Sequence, residues 1–177
     1  MTPGAPLPPI VAPRLVAEPA DATVAGLLQA CLAGAPDYFE RTEGAPADPD
    51  AAARLLSEAE ADDRRRLFLV RARGSGAALG VLDLWLDQPE PGTAHLGLLL
   101  LAEAWQGRGY GLEAAGALER SLALAGYDTL RLSVGDENPE ARAFWDRAGF
   151  AEVGRIDRGV TVLEKPLGPA TRRSWPG

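Results

Sequence analysis

The chain has 177 residues, and 46% of them are hydrophobic, which is typical of one globular domain rather than a disordered segment. Its formal net charge of -7 argues against a dedicated nucleic-acid binder, and no apolar run approaches the ~20 residues that a membrane helix needs. One Cys and one His argue against a metal site. The first residues lack the pattern of a signal peptide, so we expect a soluble cytoplasmic protein.

Both ends of the chain are rich in Pro and Gly and show no hydrophobic periodicity. Such segments bury too little apolar surface to hold one conformation. We therefore predict flexible tails at residues 1–10 and 167–177, around a single domain at residues 11–166.

Hydrophobic periodicity and helix caps predict a mixed α/β domain. Asp21, Asp48 with Pro49, and Asn138 with Pro139 mark helix starts, and residues 34–50 are predicted to form a long loop. In chain order, the predicted elements are a strand at 14–18, helices at 21–33 and from 49, strands at 66–73, 77–86 and 93–101, a helix from 112 to 125, a strand at 129–134, a helix from 139, and strands at 150–156 and 159–165.

The second, third and fourth predicted strands follow one another through short turns and must be antiparallel. The helix between the fourth and fifth strands makes one parallel crossover. The fold class is therefore α/β, with a mixed, mostly antiparallel central sheet flanked by helices.

A glycine-rich stretch, QGRGYG at Gln106 to Gly111, lies between the fourth strand and a helix. The free N–H groups and dipole of a helix start attract anions, and glycine lets the backbone approach a ligand. The stretch is therefore either a phosphate-binding loop or a plain turn. It lacks the Lys of a P-loop, and it does not directly follow a strand as a dinucleotide fingerprint should.

The same stretch resembles the Q/R-x-x-G-x-G/A signature of the GNAT superfamily of acyl-CoA-dependent N-acetyltransferases. NPEARAFWDRAGF, which begins at Asn138, resembles the second signature of that family. The element order also fits, from about Val11 to Pro166. The resemblance implies a bulged fourth strand, a V-shaped splay between strands four and five, and acetyl-CoA as acyl donor without a metal.

The resemblance also implies where the donor binds. Amides of the glycine stretch would hold the pyrophosphate of coenzyme A, and free backbone groups of the fourth strand would pair with pantetheine. Asn138 would reach the cofactor as well as cap its helix, or only cap it. The implied cofactor-binding residues are Leu99, Leu100, Leu101, Gln106, Gly107, Arg108, Gly109, Tyr110, Gly111 and Asn138.

The sequence departs from the family at two catalytic positions. Many members have a tyrosine acid where this chain has Trp145, and an indole cannot give up its proton. Trp145 therefore shapes the thiol pocket or belongs to the core. Many members also have a glutamate base near Leu98, which leucine cannot replace. His95 is the remaining candidate base on that strand, and the alternative is that it is only a packed or surface histidine. A water chain to solvent could then replace a dedicated base. Asp83 is expected to be a solvated carboxylate.

The loop at residues 34–50 lies where this family often builds its acceptor pocket. Its acidic residues would favour a cationic amine, and its aromatic residues would supply an apolar wall; a solvated loop with buried aromatics is the alternative. The candidate substrate-binding residues are Asp37, Tyr38, Phe39 and Glu40.

These observations predict an acetyl-CoA-dependent N-acetyltransferase in which a primary amine, most simply a small cationic one, attacks the donor directly in a ternary complex. The alternatives are an acyl-CoA-binding sensor with little catalysis, an enzyme for longer acyl chains, and a protein N-terminal acetyltransferase. We expect no nucleic-acid or membrane partner, and a homodimer is the common default for the oligomeric state.

Overall fold

The computed structural model describes residue 7, residues 9–156 and residues 159–168, which form one sheet with helices on both faces. The strands are Ile10–Val11 (β1), Leu15–Pro19 (β2), Arg65–Ala72 (β3), Ala78–Trp85 (β4), Thr93–Leu101 (β5), Thr129–Gly135 (β6), Ala151–Ile156 (β7) and Val160–Pro166 (β8). The helices are Ala25–Ala33 (α1), Pro36–Glu43 (α2), Ala51–Ala61 (α3), Tyr110–Leu124 (α4) and Pro139–Arg147 (α5), with short 3-10 turns at Ala22–Val24 and Glu103–Trp105.

The sheet has the strand order β1-β2-β3-β4-β5-β6-β8-β7. Strands β1 to β5 pair as an antiparallel meander, and β5 then pairs in parallel with β6 through the crossover helix α4. Strand β8 lies between β6 and β7 and is antiparallel to both. The predicted fold class, a mixed and mostly antiparallel sheet flanked by helices, is confirmed.

Strand β4 shows why the middle of the sheet is apolar on both sides. Leu82 and Leu84 pack into the core on the face covered by α4, whereas Val81 packs into the core beneath α1 and α3. All three side chains are fully buried. Full burial of a side chain of this size stabilises a fold by roughly 1.5–3 kcal/mol, so both helical layers hold the same strand in place.

Asp21 and Asn138 are helix caps as predicted, whereas α3 begins at Ala51 and its N-cap, Asp50, makes no side-chain capping bond. Asp21 accepts a hydrogen bond from the Thr23 N–H at 2.8 Å, and Asn138 accepts one from the Ala141 N–H at 3.1 Å. The Asp48 carboxylate accepts a bond from the Asp50 N–H at 2.8 Å, just before α3. The Asp21 and Asn138 side chains satisfy N–H groups that have no partner within their helices, whereas the bond from Asp50 to Asp48 stabilises the turn before α3.

Helix α2 lies in the segment that was predicted to be a loop, so that prediction was wrong for residues 36–43. Pro36 stands in the first turn, where its missing N–H costs no helical bond, and Gly44 ends the helix in a left-handed conformation with φ of 69°. Phe39 is the buried residue of this helix. The Gly, Pro and acidic residues on either side are typical of a loop, so the short amphipathic helix between them was not predicted.

Parts of the predicted tails pack against the domain. Leu7 and Ile10 are buried in the core beneath α4, and Ile10 pairs with Ala17 in the sheet. Leu167 packs against the same core. These residues belong to the folded domain, whereas residues 1–6, 8 and 169–177 lie outside the described residues.

Strands β5 and β6 separate after four pairs of residues. Thr93–Leu96 pairs with Thr129–Leu132, and beyond this point β6 continues to pair with β8 while β5 stays with β4. The register between β4 and β5 also shifts at Gly97, which is the extra residue of a bulge. The predicted V-shaped splay and bulge are confirmed.

Across the described part of the chain, the helices are all too short or too polar to span a lipid bilayer.

Candidate active site

The splay between β5 and β6 opens a cleft of about 720 Å³. Its walls come from both strands, from α2, from the glycine stretch before α4, from the first turn of α4, and from α5 along its length. Residues that are far apart in the sequence, among them Tyr38, Leu99, Gly107 and Asn138, therefore face one space. The structure brings together most of the residues that the sequence predicted for the donor site.

The backbone of β5 offers hydrogen-bonding groups to this cleft. In an antiparallel ladder, alternate residues direct their N–H and C=O groups toward the neighbouring strand. The Ala102 N–H donates to the carbonyl of Leu79 in β4 at 2.9 Å, which shows which residues of β5 face β4. Leu100 therefore directs its backbone to β4, whereas Leu99 and Leu101 direct theirs toward the cleft.

Gln106 uses its side chain within the protein. Its Nε2 donates to the Leu101 carbonyl at 2.8 Å, which closes the end of β5. Of the backbone groups at this end of the strand, the N–H of Leu101 and both groups of Leu99 remain directed toward the cleft.

The glycine stretch forms the mouth of the cleft and the start of α4. Gly107 and Gly109 have positive φ angles of 68° and 81°, which favour glycine at both positions. Gly109 precedes Tyr110, the first residue of α4, and supplies no side-chain cap. The first N–H groups of α4 therefore lack a capping side chain at Gly109, which together with the helix dipole suits an anion.

Gly111 has a different role. A Cβ at this position would lie 3.1 Å from Cε2 of Phe144, so the glycine lets α4 approach α5 closely.

Arg108 and Tyr110 pack against Trp105 rather than facing the cleft. The Arg108 guanidinium lies over the Trp105 ring at 5.4 Å, and the Trp105 and Tyr110 rings meet edge to face with centroids 6.0 Å apart. Neither Arg108 nor Tyr110 is among the described residues that line the cleft.

Asn138 joins α2 to α5. Its Oδ1 accepts the capping bond from Ala141 and a second bond from Nη1 of Arg41 at 3.0 Å. Because this oxygen takes both bonds, Asn138 has its amide N–H groups to offer to a ligand in the cleft.

Trp145 belongs to the core and also lines the cleft. It is 8% exposed and packs edge to face against Phe144 and Phe150, with centroid distances of 4.7 and 5.0 Å. Trp145 is therefore a core residue that also lines the cleft, and its role in a thiol pocket stays a prediction.

His95 lies at the closed end of the V, where β5 is paired on both sides. It stands opposite Trp85 of β4 and Arg131 of β6. Burial lowers the pKa of His95, and the positive charge of Arg131 lowers it further. The described residues that line the cleft begin at Leu96 on this strand and do not include His95.

A smaller cleft of about 250 Å³ meets the larger one at the bulge, because Tyr38, Gly97 and Leu98 line both. Burial, and then the charge of Glu43, raises the pKa of the Tyr38 phenol. The smaller cleft is lined by three carboxylates, Glu43, Glu58 and Asp83.

The four predicted acceptor residues are divided between these spaces. Asp37 and Tyr38 line the larger cleft, and Phe39 lines the smaller one while belonging to the core beneath α1 and α3. Glu40 is exposed and lines neither cleft.

An ion pair between Arg65 and Asp83 lies beside the bulge, and sequence reasoning missed it. Arg65 donates to both carboxylate oxygens of Asp83, at 2.9 and 2.7 Å, and the two side chains are only 7% and 6% exposed. A Cβ on Gly97 would lie 3.4 Å from Oδ2 of Asp83. The expectation that Asp83 is solvated was therefore wrong.

Arg65 has two further contacts. Its Nη1 donates to Oε2 of Glu58 at 2.5 Å, and its guanidinium lies over the Trp85 ring at 4.8 Å. The signal available in the sequence was one acid within the otherwise apolar strand AALGVLDLWL. A charge at such a position needs a partner.

Among the described residues, no group of three or more His, Cys, Asp or Glu side chains is arranged to hold a metal ion.

The chain belongs to the GNAT family of acetyltransferases, because the family model for the acetyltransferase (GNAT) domain matches residues 14–151. The crystal structure of an acetyltransferase from Thermus thermophilus is similar, with a TM-score of 0.79 and 31% identity, and the match covers 90% of this chain and 100% of that one. Spermidine N-acetyltransferase from Vibrio cholerae, solved with CoA and spermine, shares the fold at 18% identity, with a TM-score of 0.71 over 89% of this chain and 98% of that one.

A mycothiol acetyltransferase from Beutenbergia cavernae is 34% identical over 91 residues, which is 51% of this chain. The matched region spans only 30% of the length of that relative.

Proposed function

We propose that this protein transfers an acetyl group from acetyl-CoA to the primary amine of a small cationic acceptor, by direct attack within a ternary complex. The observation that carries the proposal is the meeting of the two clefts at Tyr38, Gly97 and Leu98. One cleft presents backbone groups and a helix start, and the other presents carboxylates. A donor and an acceptor can therefore meet at the bulge of β5.

The larger cleft fits the donor. The backbone groups of Leu99 and Leu101 are directed where the amides of a pantetheine arm can pair with them, as a short extra strand would. The exposed N–H groups at Gly107 and Gly109 suit a pyrophosphate. When bound, acetyl-CoA supplies an activated thioester, and amides of the bulge around Gly97 would polarise its carbonyl.

The smaller cleft suits a positively charged acceptor. Its lining includes the carboxylates of Glu43, Glu58 and Asp83, and its one arginine among the described residues, Arg54, is paired with Asp48 at 2.9 Å. Arg65 pairs with both Asp83 and Glu58, so these three side chains together keep one net negative charge, and Glu43 adds a second that would attract an ammonium. A polyamine is therefore the first acceptor to test.

The proton of the attacking amine must leave the site, because a free amine with a pKa of ~10.4 is protonated at neutral pH. His95 lines neither cleft, and its position does not support a role as base. The Glu58 side chain is 55% exposed, so the smaller cleft reaches solvent and water can carry the proton. The leaving thiol, with a pKa of ~8.5, can depart without a tyrosine acid.

A free-thiol assay with acetyl-CoA tests the proposal. We expect turnover with spermidine or a short diamine to exceed turnover with a monoamine, which has no second ammonium group, by about tenfold, since one favourable charge contact of ~1.4 kcal/mol has that effect. Glu43→Gln with Glu58→Gln should raise the KM for the polyamine, while Glu60→Gln, an exposed residue of α3, should leave it unchanged.

Two other outcomes would each replace the proposal. Turnover confined to peptides with a free N-terminus would make the protein an N-terminal acetyltransferase. Tight binding of acetyl-CoA without turnover on any amine would make it an acyl-CoA sensor.

A further inference from the structure

We propose that Arg14 is a positioning residue that holds the glycine stretch in its phosphate-binding shape. The inference rests on the proposed function, in which this stretch receives the pyrophosphate of the donor. Arg14 immediately precedes β2 and is far from the stretch in the sequence, so no local pattern connects the two.

Arg14 contacts three successive points around the start of α4. Its Nη1 donates to the Arg108 carbonyl at 3.1 Å, and its guanidinium lies over the Tyr110 ring at 4.4 Å. Its Nε and its backbone N–H donate to the two oxygens of Glu113 at 2.6 and 2.7 Å. One side chain thus ties the loop and the first turn of α4 to the edge of the sheet.

The bond to Arg108 has a consequence for the next amide. A trans peptide is planar, and its C=O and N–H point in opposite directions. Because the Arg108 carbonyl is held toward Arg14, the N–H of Gly109 points away from it. Gly109 lines the cleft, and a Cβ there would lie 3.3 Å from Nη2 of Arg14. The Arg14 guanidinium therefore lies against Gly109 on the side opposite the Gly109 N–H group.

Without this support the loop could change shape easily. Gly107 and Gly109 flank Arg108, and glycine rotates between left-handed and right-handed conformations at little cost. Arg14 therefore restricts the conformations that the loop can adopt in the absence of a ligand. A preorganised loop loses less entropy when it binds, which tightens binding.

Arg14 also offsets an unfavourable charge. Glu113 lies in the first turn of α4, and an anion near this helix start would be repelled by its carboxylate. Burial raises the pKa of Glu113, but the hydrogen bonds from Arg14 lower it by more, so the net shift is downward and the residue is ionised at neutral pH. Its partner Arg14 is the cation that balances it.

Calorimetric titration of coenzyme A into Arg14→Ala tests the inference. We expect the Kd to rise about tenfold, which corresponds to the loss of a charged hydrogen bond of ~1.4 kcal/mol. Arg64→Ala is the matched control, because Arg64 is similarly exposed, 53% against 49%, and is paired with Asp62 outside the cleft. The control should bind coenzyme A as the wild type does.

Kinetics separate positioning from a general loss of structure. In Arg14→Ala, the KM for acetyl-CoA should rise while kcat at saturating donor stays within about twofold. S-acetylpantetheine, which lacks the pyrophosphate, should react equally well with the wild type and the variant. Equal losses with both donors would mean that Arg14 only stabilises the fold, and would overturn the inference.

Glu113→Ala separates positioning from charge. It removes both the anchor of Arg14 and a negative charge near the anion. Positioning predicts weaker binding of coenzyme A, whereas unchanged or tighter binding would show that the negative charge of Glu113 matters more than its hold on Arg14 and would overturn the inference. A wild type that fails to bind coenzyme A would overturn the proposed function itself, whereas an Arg14→Ala variant that binds as tightly as the wild type would overturn this inference only.

Discussion

The buried pair of Arg65 and Asp83 places two charges next to the bulge that shapes the site. A buried carboxylate is tolerated only while a cation and hydrogen bonds satisfy it, and here Arg65 supplies both through two parallel bonds. This arrangement holds β3 against β4 where the two clefts meet.

Asp83→Asn is expected to destabilise the protein by about 3 kcal/mol, because it leaves the buried Arg65 with only the exposed carboxylate of Glu58 as a partner. Urea denaturation would measure the change. Asp62→Asn is the control, since the Asp62–Arg64 pair has a similar geometry at the surface and should matter little. A loss under about 1 kcal/mol for Asp83→Asn would contradict this account.

His95 gives a prediction about pH. The folded protein lowers the pKa of His95 below 6.5, so the neutral imidazole is favoured in the fold and the unfolded chain takes up its proton first as pH falls. This contribution to stability is complete above about pH 6.5 and is lost as pH falls through the folded pKa. His95→Gln should therefore lose less stability than the wild type does when the pH falls from about 7.5 to about 5.5.

Denaturation at the two pH values measures that difference. The pH–rate profile of the transferase reaction should be the same in His95→Gln and the wild type, because His95 lies outside both clefts. A profile that loses one of its inflections in the variant would restore His95 as the base.

At the scale of elements, β4 and β5 approach each other closely at Gly80. A Cβ on Gly80 would overlap the Leu100 carbonyl oxygen, a backbone atom that cannot move aside. Gly80→Ala is expected to cost about 2–3 kcal/mol or more and to disturb the strand that lines the cleft. Thermal unfolding would measure it.

Gly154→Ala in β7 is the matched control, because a Cβ there would meet open space. This variant should unfold close to the wild-type temperature. Equal melting temperatures for the two alanine variants would show that the strands are less closely packed than described.

The elements also show what the sequence could predict. Strand β5 was predicted with its observed bounds, because a long apolar run stands between a turn and a glycine loop. Helix α2 was missed, because its eight residues lie among Gly, Pro and acids that usually form loops. The hydrogen bond from Arg41 of α2 to Asn138 could therefore not be predicted either, because it depends on this helix.

For the whole molecule, the site is the gap between two parts of one sheet. The V-shaped cleft could be expected from two family signatures in the correct order, since each signature places one wall. The ion pairs beside the cleft could not be predicted from the sequence. Arg14 with Glu113, and Arg65 with Asp83, join segments that only the folded chain brings together.

A ligand that fills this gap should stabilise the whole fold. It binds only the folded state, so at a concentration of about 100 Kd it adds about 2.7 kcal/mol to the free energy of unfolding. For a chain of this size that corresponds to a rise in melting temperature of roughly 5–10 °C. Coenzyme A in a thermal shift assay should produce such a rise, and an unchanged melting temperature at millimolar coenzyme A would contradict the placement of the ligand.

The most direct test is one calorimetric titration of acetyl-CoA into the wild type beside Gly109→Trp, with thermal unfolding to verify that the variant is folded. A tryptophan at a φ of 81° would strain the backbone, and its side chain would displace the Arg14 guanidinium, which lies 3.3 Å from the position of the added Cβ. The wild type should show saturable one-to-one binding of acetyl-CoA, and the variant should show none. No binding by the wild type at high micromolar acetyl-CoA, or equal affinity in Gly109→Trp, would contradict it.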